Sequence, residues 1–374
     1  MIDLHGIISA YRDFPELGAL VQERTPSALT FAGRYRLVDF ALSNMKAAGI
    51  YNVDIVMQNN YQSLMDHVGS GKAWDMSRKD GGLRLLPPFS YGGDTGLYSG
   101  LLEALQVAEP YLRRMKENYV VLMPGSLAMS IDIKKVFAEH LASGAGLTVI
   151  CSKDVDSGDH HRYMTDEEGN VTESLFHREG DNSGENLQGV ADMEAYIVNK
   201  DVLLGMIEYA ASHMRYSFHV DGVREYLNRG GKVHVYVHEG YCKRISDIAT
   251  YLEANMAMLD RETRRSLFPE NHPVLTKDRA DVSTYYGEQA HIVNSLISDG
   301  CFIEGELVNC IIAPGVHVGK GAHLENCIIM RDTVIGDDVE MKYVISDKYV
   351  HVEETKQLVG SKTVPVVIPR ATNT

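Results

Sequence analysis

The sequence contains few cysteines, and their spacing excludes two common kinds of stabilised site. Five cysteines occur among 374 residues, at positions 151, 242, 301, 310 and 327, and none forms a CxxC pair. An odd number without this spacing indicates neither a disulfide framework nor a zinc ribbon. Because free cysteine behaves as a small apolar residue, we expect buried, reduced thiols.

The chain also lacks a basic excess and a long apolar run. Acidic residues outnumber basic residues by 51 to 36, and the formal net charge is −15. This balance disfavours nonspecific binding to nucleic acid or to an anionic membrane. No apolar run approaches the ~20 residues that cross a bilayer, and the first residues do not have the pattern of a secretion signal. We therefore expect a cytoplasmic protein.

Short apolar runs alternate with helix-like segments through the first two thirds of the chain. The predicted strands are Gly6–Ala10, Val53–Met57, Tyr119–Met123, Leu147–Cys151 and Ala195–Val198, and the predicted helices are Phe40–Ala48, Leu101–Lys116, Ile133–Ser143 and Lys200–Ser212. This alternation favours an α/β fold with a mostly parallel sheet covered on both faces. Ligands bind beyond the carboxyl ends of strands in such sheets, so side chains that follow strands are the candidates for a site.

About the last hundred residues follow a six-residue rhythm. Aliphatic side chains recur at this spacing and continue after a slip of one residue, at Ile312, Val318, Leu324, Ile329, Ile335 and Met341. This period is typical of a parallel β-helix, in which each face uses one hexapeptide. Because such a solenoid cannot bury its ends alone, we expect it to assemble with other chains.

The helical pattern stops near residue 265. The charged run Asp260–Arg265 is followed by Phe268–Pro273, whose turn residues would end a helix and begin an extended connection. We predict a first domain at residues 1–265, a linker at 266–290 and a hexapeptide domain at 291–374.

Two local sequences connect the chain with a known family. The segment from Phe31 to Asn44 reads FAGRYRLVDFALSN, and the segment from Gly240 to Met256 reads GYCKRISDIATYLEANM. With the hexapeptide tail, they resemble the glucose-1-phosphate adenylyltransferase family over nearly the whole chain. The resemblance implies a Rossmann-like nucleotidyltransferase domain followed by a left-handed parallel β-helix.

The positions on which the family's chemistry depends carry other residues here. The family's phosphate loop, GGRGxRL, is replaced by Tyr11–Leu17, in which a phenylalanine and a proline cannot cradle a triphosphate as glycines do. The loop arginine of the family falls on Glu16, and a substrate-facing lysine falls on Pro26. Ser126 and Arg244 stand in place of two magnesium-binding aspartates. Because Mg²⁺ prefers carboxylate oxygens, the resemblance implies no metal in this chain and Mg²⁺ only in a catalytic partner.

Other substrate-facing positions of the family are partly retained. The residual cleft predicted from the resemblance contains Gly100, Glu103, His177, Glu194, Phe218 and Asp221. His177 replaces the lysine that meets the sugar phosphate, and Glu194 replaces a glycine. We expect that the pocket keeps its overall shape, whereas the side chains that line it differ from those of the family.

These replacements favour a subunit that does no chemistry of its own. Removing one preorganised donor from a developing anion costs roughly 2.7–4 kcal/mol, so four such losses could lower turnover by more than roughly four orders of magnitude. The chain resembles the GlgD-type regulatory subunit, which implies a hetero-oligomer, a tetramer by expectation, with a catalytic partner. That partner would make ADP-glucose and pyrophosphate from ATP and glucose 1-phosphate for bacterial glycogen synthesis.

Two alternatives remain open from the sequence. An active sugar-phosphate nucleotidyltransferase with rearranged ligands would use groups such as Glu103 and Asp221, and would bind ATP with metal. A sugar-phosphate sensor would hold its ligand in the altered cleft and need no partner enzyme.

Two further pairs of residues have two readings each. Arg34 and Arg36 could meet an anionic effector, because the family's activator site has a basic residue at the position of Arg34; a surface ion pair is the other reading. His160 and His161 lie in a polar stretch, which favours a solvated turn over a metal site.

Overall fold

The structure is a computed structural model that describes residues 2–88, 98–153, 160–177 and 189–374; the side chains of residues 160 and 177 are outside this description. The strands up to residue 244 are β1 (Leu4–Ala10), β2 (Thr30–Phe31), β3 (Tyr35–Arg36), β4 (Val53–Met57), β5 (Leu83–Leu86), β6 (Tyr119–Pro124), β7 (Leu127–Met129), β8 (Leu147–Ser152), β9 (His160–Thr165), β10 (Val171–His177), β11 (Val190–Asn199), β12 (Val233–His238) and β13 (Cys242–Arg244).

The remaining strands are short and evenly spaced. They are β14 (Tyr285–Tyr286), β15 (His291–Val293), β16 (Leu296–Ile297), β17 (Phe302–Ile303), β18 (Glu306–Val308), β19 (Ile311–Ile312), β20 (His317–Val318), β21 (His323–Glu325), β22 (Ile328–Ile329), β23 (Val334–Ile335), β24 (Glu340–Lys342), β25 (Val344–Ser346), β26 (His351–Val352), β27 (Gln357–Val359) and β28 (Val366–Ile368).

The helices are mostly short. The α-helices are α1 (Leu37–Ala48), α2 (Gln62–Val68), α3 (Leu101–Gln106), α4 (Glu109–Leu112), α5 (Ile133–Ser143), α6 (Lys200–His213), α7 (Glu225–Asn228), α8 (Ile248–Ala257) and α9 (Arg261–Leu267). Three 3₁₀ helices lie at Pro15–Val21, Pro26–Ala28 and Lys72–Trp74, and a π-helical turn lies at Phe218–Arg224. None of the helices in the described ranges has the length and apolar character needed to cross a membrane.

Contacts divide the chain into two compact units, and neither is a continuous stretch of sequence. The first unit contains Met1–Arg12, Val38–Arg244 and Asn271–Leu275, and the second contains Asp13–Leu37, Ile245–Glu270 and Thr276–Thr374. The sequence-based domains at 1–265 and 291–374 stay a prediction. In the structure, two segments from before residue 271 belong with the hexapeptide region.

The first unit is built on a nine-stranded sheet with a parallel centre. β1 pairs in parallel with β4 and β6, β4 with β5, and β8 with β12. β11 runs antiparallel between β6 and β8, and the hairpin β9–β10 extends one edge. The mostly parallel α/β sheet predicted from the alternating pattern is confirmed. The hairpin was not predicted.

One predicted helix is two helices in the structure. The sequence pattern predicted a single helix over Leu101–Lys116, but α3 ends at Gln106 and α4 begins at Glu109. Pro110 lies in the first turn of α4. Proline has no N–H for an intrahelical bond and is tolerated only in a first turn, so the chain restarts its helix there.

The hexapeptide region of the second unit forms a three-faced solenoid of parallel strands, consistent with a left-handed β-helix. Each face is a five-stranded parallel sheet, and the predicted aliphatic series lies in the buried interior. Ile312 lies beside Ile329 on the next turn of the coil, 17 residues on. This turn is one residue short of three hexapeptides, which accounts for the slip in the rhythm. The predicted period is confirmed.

One outer face of the solenoid is apolar and covered. The outward side chains of Ile311, Ile328 and Ile345 are at most 3% exposed, and segment 13–37 of the same unit approaches this face at Gly33, beside Ile311. Gly33 has a φ of +81°, and a Cβ there would lie 3.3 Å from the Ile312 carbonyl oxygen. The left-handed φ and the close approach together favour glycine at this position.

The same segment is tied to the helix that follows residue 247. The Tyr251 hydroxyl donates to the Thr30 carbonyl oxygen at 2.7 Å, and the Ala32 N–H donates to the Asn255 side chain at 2.9 Å. These bonds explain why segments 13–37 and 245–270 belong to the second unit.

The cysteines agree with the expectation from their spacing. All five are free and buried. Burial raises the pKa of the Cys151 thiol well above its usual value, so this cysteine is an inert structural thiol at neutral pH.

Candidate functional site

The first unit contains a cleft of about 320 Å³ where the central strands of its sheet end. Tyr11 and Arg12 follow β1, and Ser126 follows β6. β11 and the π-helical turn supply the opposite wall through Glu194 and His219. This is the place at which parallel α/β sheets bind ligands.

Five of the residues predicted for the site lie together here. The cleft is lined by Ser126, Arg244, Gly100, Glu194 and Phe218. Gly100 is closely approached by the chain, since a Cβ there would lie 2.2 Å from the Tyr216 carbonyl oxygen. A side chain at position 100 would therefore clash with the backbone at Tyr216.

Other predicted residues have structural contacts or lie elsewhere. The Glu103 carboxylate accepts the Ser99 N–H at 2.5 Å, and the Asp221 carboxylate accepts the Ser217 N–H at 3.0 Å. Neither is among the described residues that line the cleft.

Three more predicted positions are outside the described lining of the cleft. Glu16 is exposed on a 3₁₀ helix of the second unit, and Pro26 is buried at the start of another. His177 ends β10, but its side chain lies outside the described part of the structure.

Two arginines hold the Glu194 carboxylate inside the cleft. Arg12 Nη1 pairs with Glu194 Oε1, and Arg244 Nη2 lies 3.8 Å from the same oxygen. Arg244 also donates to the Asp192 carbonyl oxygen at 2.8 Å. Burial raises the pKa of Glu194, but the charges of Arg12, Arg244 and His219 outweigh it and the net pKa is well below its usual range. Glu194 is therefore ionised at neutral pH.

Asp192 is the centre of a buried hydrogen-bond network beside this ion pair. The hydroxyl groups of Tyr163 and Tyr196 donate to its carboxylate at 3.1 and 3.0 Å. His219 Nδ1 lies 2.9 Å from the same carboxylate, which is 1% exposed. The lone pairs of Asp192 are thus used within the protein.

His161 lines the cleft, which corrects the expectation of a solvated turn. It lies on β9, and its ring stacks on His219 with centroids 4.0 Å apart. Burial and the neighbouring His219 lower the pKa of His161 to about 4. Its ring is therefore neutral at pH 7 and contributes a flat, uncharged surface. The sequence pattern did not predict the hairpin β9–β10, and for this reason His160 and His161 were assigned to a loop.

The donor set in the cleft does not fit Mg²⁺. The two positions that carry aspartate in the resembling family present the Ser126 hydroxyl and the Arg244 guanidinium. Glu194 is held between guanidinium groups, and Asp192 is saturated. Mg²⁺ requires several oxygen ligands in octahedral geometry. Nowhere in the described ranges do three or more His, Cys, Asp or Glu side chains form a group suited to a metal ion.

The second unit has a separate cavity of about 520 Å³ with a strongly basic lining. We call it the basic pocket; its cations are Arg34, Arg264, Arg265, Lys277 and Arg279. Asp281 also lines it and pairs with Arg279 at 2.9 Å. The rings of Tyr35 and Phe268 lie 4.8 Å apart on its wall. Five cations against few carboxylates favour an anionic ligand.

Arg36, the second predicted effector residue, belongs to a neighbouring cluster. It lies on β3 and is not among the described residues that line the basic pocket. Its charge acts on Lys348, whose side chain is only 6% exposed. Burial, followed by the charges of Arg36, Arg24 and Arg331, lowers the pKa of Lys348 to about 6.

Comparison with known proteins gives two family matches. Residues 17–261 match the family described as nucleotidyl transferase, and residues 281–363 match the family described as GlmU-like, C-terminal hexapeptide. The chain is similar to a glucose-1-phosphate adenylyltransferase of Clostridium perfringens (strain 13 / Type A), with 30% identity over 325 residues, 85% of this chain and 81% of that protein. It is also similar to a glucose-1-phosphate adenylyltransferase of Bacillus mycoides (strain KBAB4), with 29% identity over 356 residues, 94% of this chain and 93% of that protein.

Proposed function

Because the chain belongs to the nucleotidyl transferase family and, within it, to the glucose-1-phosphate adenylyltransferases, we propose that it is a regulatory, catalytically inactive subunit of such an enzyme. The catalytic partner converts ATP and glucose 1-phosphate to ADP-glucose and pyrophosphate in bacterial glycogen synthesis. This chain assembles with the partner and changes its activity.

The observation that carries the proposal is the Arg244–Glu194–Arg12 ion-pair network in the cleft. Metal-assisted transfer of an adenylyl group needs carboxylates that hold Mg²⁺ and free cations that face the phosphates. Here a cation stands at a metal-ligand position, and a carboxylate stands between the cations. Each property is the reverse of what the reaction requires.

The alternative of an active enzyme with rearranged ligands has less support. It relied on Glu103 and Asp221, whose carboxylates accept backbone N–H groups at 2.5 and 3.0 Å. A carboxylate that holds the fold in this way is a poor candidate for a metal ligand.

A chain without chemistry of its own can still control a partner. If it packs differently against two states of a neighbouring subunit, it shifts their populations by the difference in packing free energy. Allosteric couplings of this kind are typically about 1–3 kcal/mol, or 5- to 150-fold in an equilibrium. The solenoid supplies the means of assembly, since its ends need another surface to cover them.

The basic pocket supplies the means of regulation. We assign it to an anionic metabolite effector, with Arg34 as one of its ligands and Arg36 in the adjacent basic cluster. Five cations and two carboxylates line the pocket, and a bound phosphate or carboxylate would offset part of the cations' mutual repulsion. The two aromatic rings on the wall can contact an organic group attached to the anion.

Co-expression with a catalytic glucose-1-phosphate adenylyltransferase chain tests this function. We expect one hetero-oligomer by native mass spectrometry, and a rate or substrate affinity of pyrophosphate release that differs at least fivefold from the partner alone. Arg34→Ala in this chain should reduce the response of that complex to added inorganic phosphate. Arg261→Ala, an exposed arginine of the same unit outside the basic pocket, is the matched control and should leave it unchanged.

Each other outcome points to a different function. Failure of the two chains to associate, with tight binding of glucose 1-phosphate by this chain alone, would favour a sugar-phosphate sensor. Metal-dependent ATP binding by this chain in calorimetry would favour an active nucleotidyltransferase.

A further inference from the structure

Glu194 is unusual in both its backbone and its surroundings. Its φ is +56°, in the left-handed region that side chains other than glycine, asparagine and aspartate seldom adopt. It lies at an irregularity of β11, where pairing with β8 shifts between Asp192 and Ala195. A residue held in such a conformation persists only when its surroundings over-determine it.

The Glu194 N–H donates to the Asp192 carboxylate at 2.6 Å, and the Glu194 side chain is held by two guanidinium groups. Arg12 reaches it from the end of β1, and Arg244 reaches it from β13. The exposed fractions of the three side chains are 46% for Arg12, 20% for Glu194 and 12% for Arg244. The carboxylate is thus partly withdrawn from water, while one of its arginines faces the open cleft.

Two arginines that hold a carboxylate are also able to hold a phosphate group. Guanidinium groups bind carboxylate and phosphate oxygens in the same planar geometry. The Ser126 hydroxyl lines the same cleft and offers a further donor. With Glu194 in place, an incoming phosphate meets a carboxylate's negative charge, and the two arginines are already neutralised.

We infer that Glu194 is a built-in competitor for phosphate groups, which closes an anion site formed by Arg12 and Arg244 in the cleft. The site takes a phosphorylated ligand only when the Glu194 carboxylate is displaced. The contact is therefore autoinhibitory. The inference rests on the proposed function only in treating the cleft as free of a catalytic metal.

Pyrophosphate binding by the isolated full-length chain tests the inference. The titrations are calorimetric and contain a chelator, so that no metal bridges protein and ligand. Glu194→Gln removes the charge and keeps the size of the side chain, and Glu194→Gly also relieves the left-handed backbone. Both variants should show an additional site that binds pyrophosphate at least tenfold more tightly than the wild-type cleft. Glu173→Gln, an exposed carboxylate on β10, is the matched control and should bind as the wild type does.

The arginines locate the new site. Adding Arg12→Ala or Arg244→Ala to Glu194→Gln should abolish the gain, whereas binding at the basic pocket is common to all variants and cancels in the comparison. Circular dichroism and the urea midpoint check that each variant folds. If Glu194→Gln does not fold, Glu194→Gly replaces it as the parent variant of the comparison.

Two results would overturn the inference: equal binding by wild type and both Glu194 variants, or a gain that survives the loss of either arginine. The proposed function fails by another readout, pyrophosphate release by the isolated chain, so the two can be judged separately.

Discussion

Lys348 is buried among cations, and its protonation is coupled to the stability of the second unit. Arg24, Arg36 and Arg331 act on it, and burial is the largest cause of its lowered pKa, about 6 against 10.5. Between these two values the unfolded chain binds a proton that the folded chain does not. The contribution of Lys348 to stability therefore rises with pH across this window and is constant outside it.

Lys348→Met should stabilise the protein at pH 7. The substitution removes the cost of releasing this proton on folding, so we expect the free energy of unfolding to rise by roughly 1 kcal/mol or more. The gain should shrink as the pH approaches 10, because less proton is then released. Urea unfolding of the wild type and the variant at pH 7 and pH 10 measures the gain in stability and its decrease with pH. Lys356→Met, an exposed lysine of the same solenoid, should change stability by less than about 0.5 kcal/mol; an equal gain there would refute the explanation.

Individual site residues could be predicted only where they follow a strand or match a family motif. Ser126 and Arg244 were found in this way, and Arg12 could have been, because it follows the first predicted strand. Asp192 and His219 were missed as partners, since their contact joins positions far apart in the sequence. The left-handed backbone of Glu194 is accompanied by an N–H bond to the Asp192 carboxylate at 2.6 Å and by side-chain pairing with two arginines far away in the sequence, and the strand pattern does not predict it.

The stability of the solenoid should depend on its interior ladders. Leu324 is fully buried between Leu307 and Met341 of the neighbouring turns. Leu324→Ala would leave a cavity in a continuous core, and we expect it to lower the free energy of unfolding by about 2–5 kcal/mol. Urea denaturation measures this loss. Lys320→Ala, at an exposed corner of the same turn, is the control and should cost less than about 0.5 kcal/mol. A comparable loss from both variants would contradict the assignment of the inward ladder.

The elements were predictable where their signal is periodic. Val53–Met57 and Ile133–Ser143 were predicted with the observed bounds, and the hexapeptide slip marked a real 17-residue turn. Elements whose formation depends on contacts with distant parts of the chain could not be predicted. The apolar outward series at Ile311, Ile328 and Ile345 was not predicted as a covered face, because the segment 13–37 that joins the same unit is distant in the sequence.

The whole chain could be placed in its family from sequence because the motifs and the hexapeptide tail occur in one order over most of its length. The two-part architecture followed from the same evidence. The discontinuous composition of the two units could not be predicted. The sequence pattern changes near residue 265, but the residues that pack together in each unit do not divide there. Partner, stoichiometry and effector are properties of surfaces that meet other molecules, and sequence periodicity does not encode them.

The central claim is that this chain makes no ADP-glucose by itself. The most direct test is pyrophosphate release by the purified chain from ATP and glucose 1-phosphate with excess Mg²⁺, in an assay that resolves turnover four orders of magnitude below about 10 s⁻¹, an ordinary enzyme rate. We predict no release above the protein-free background. Steady release at about 1 s⁻¹ or faster would contradict the account.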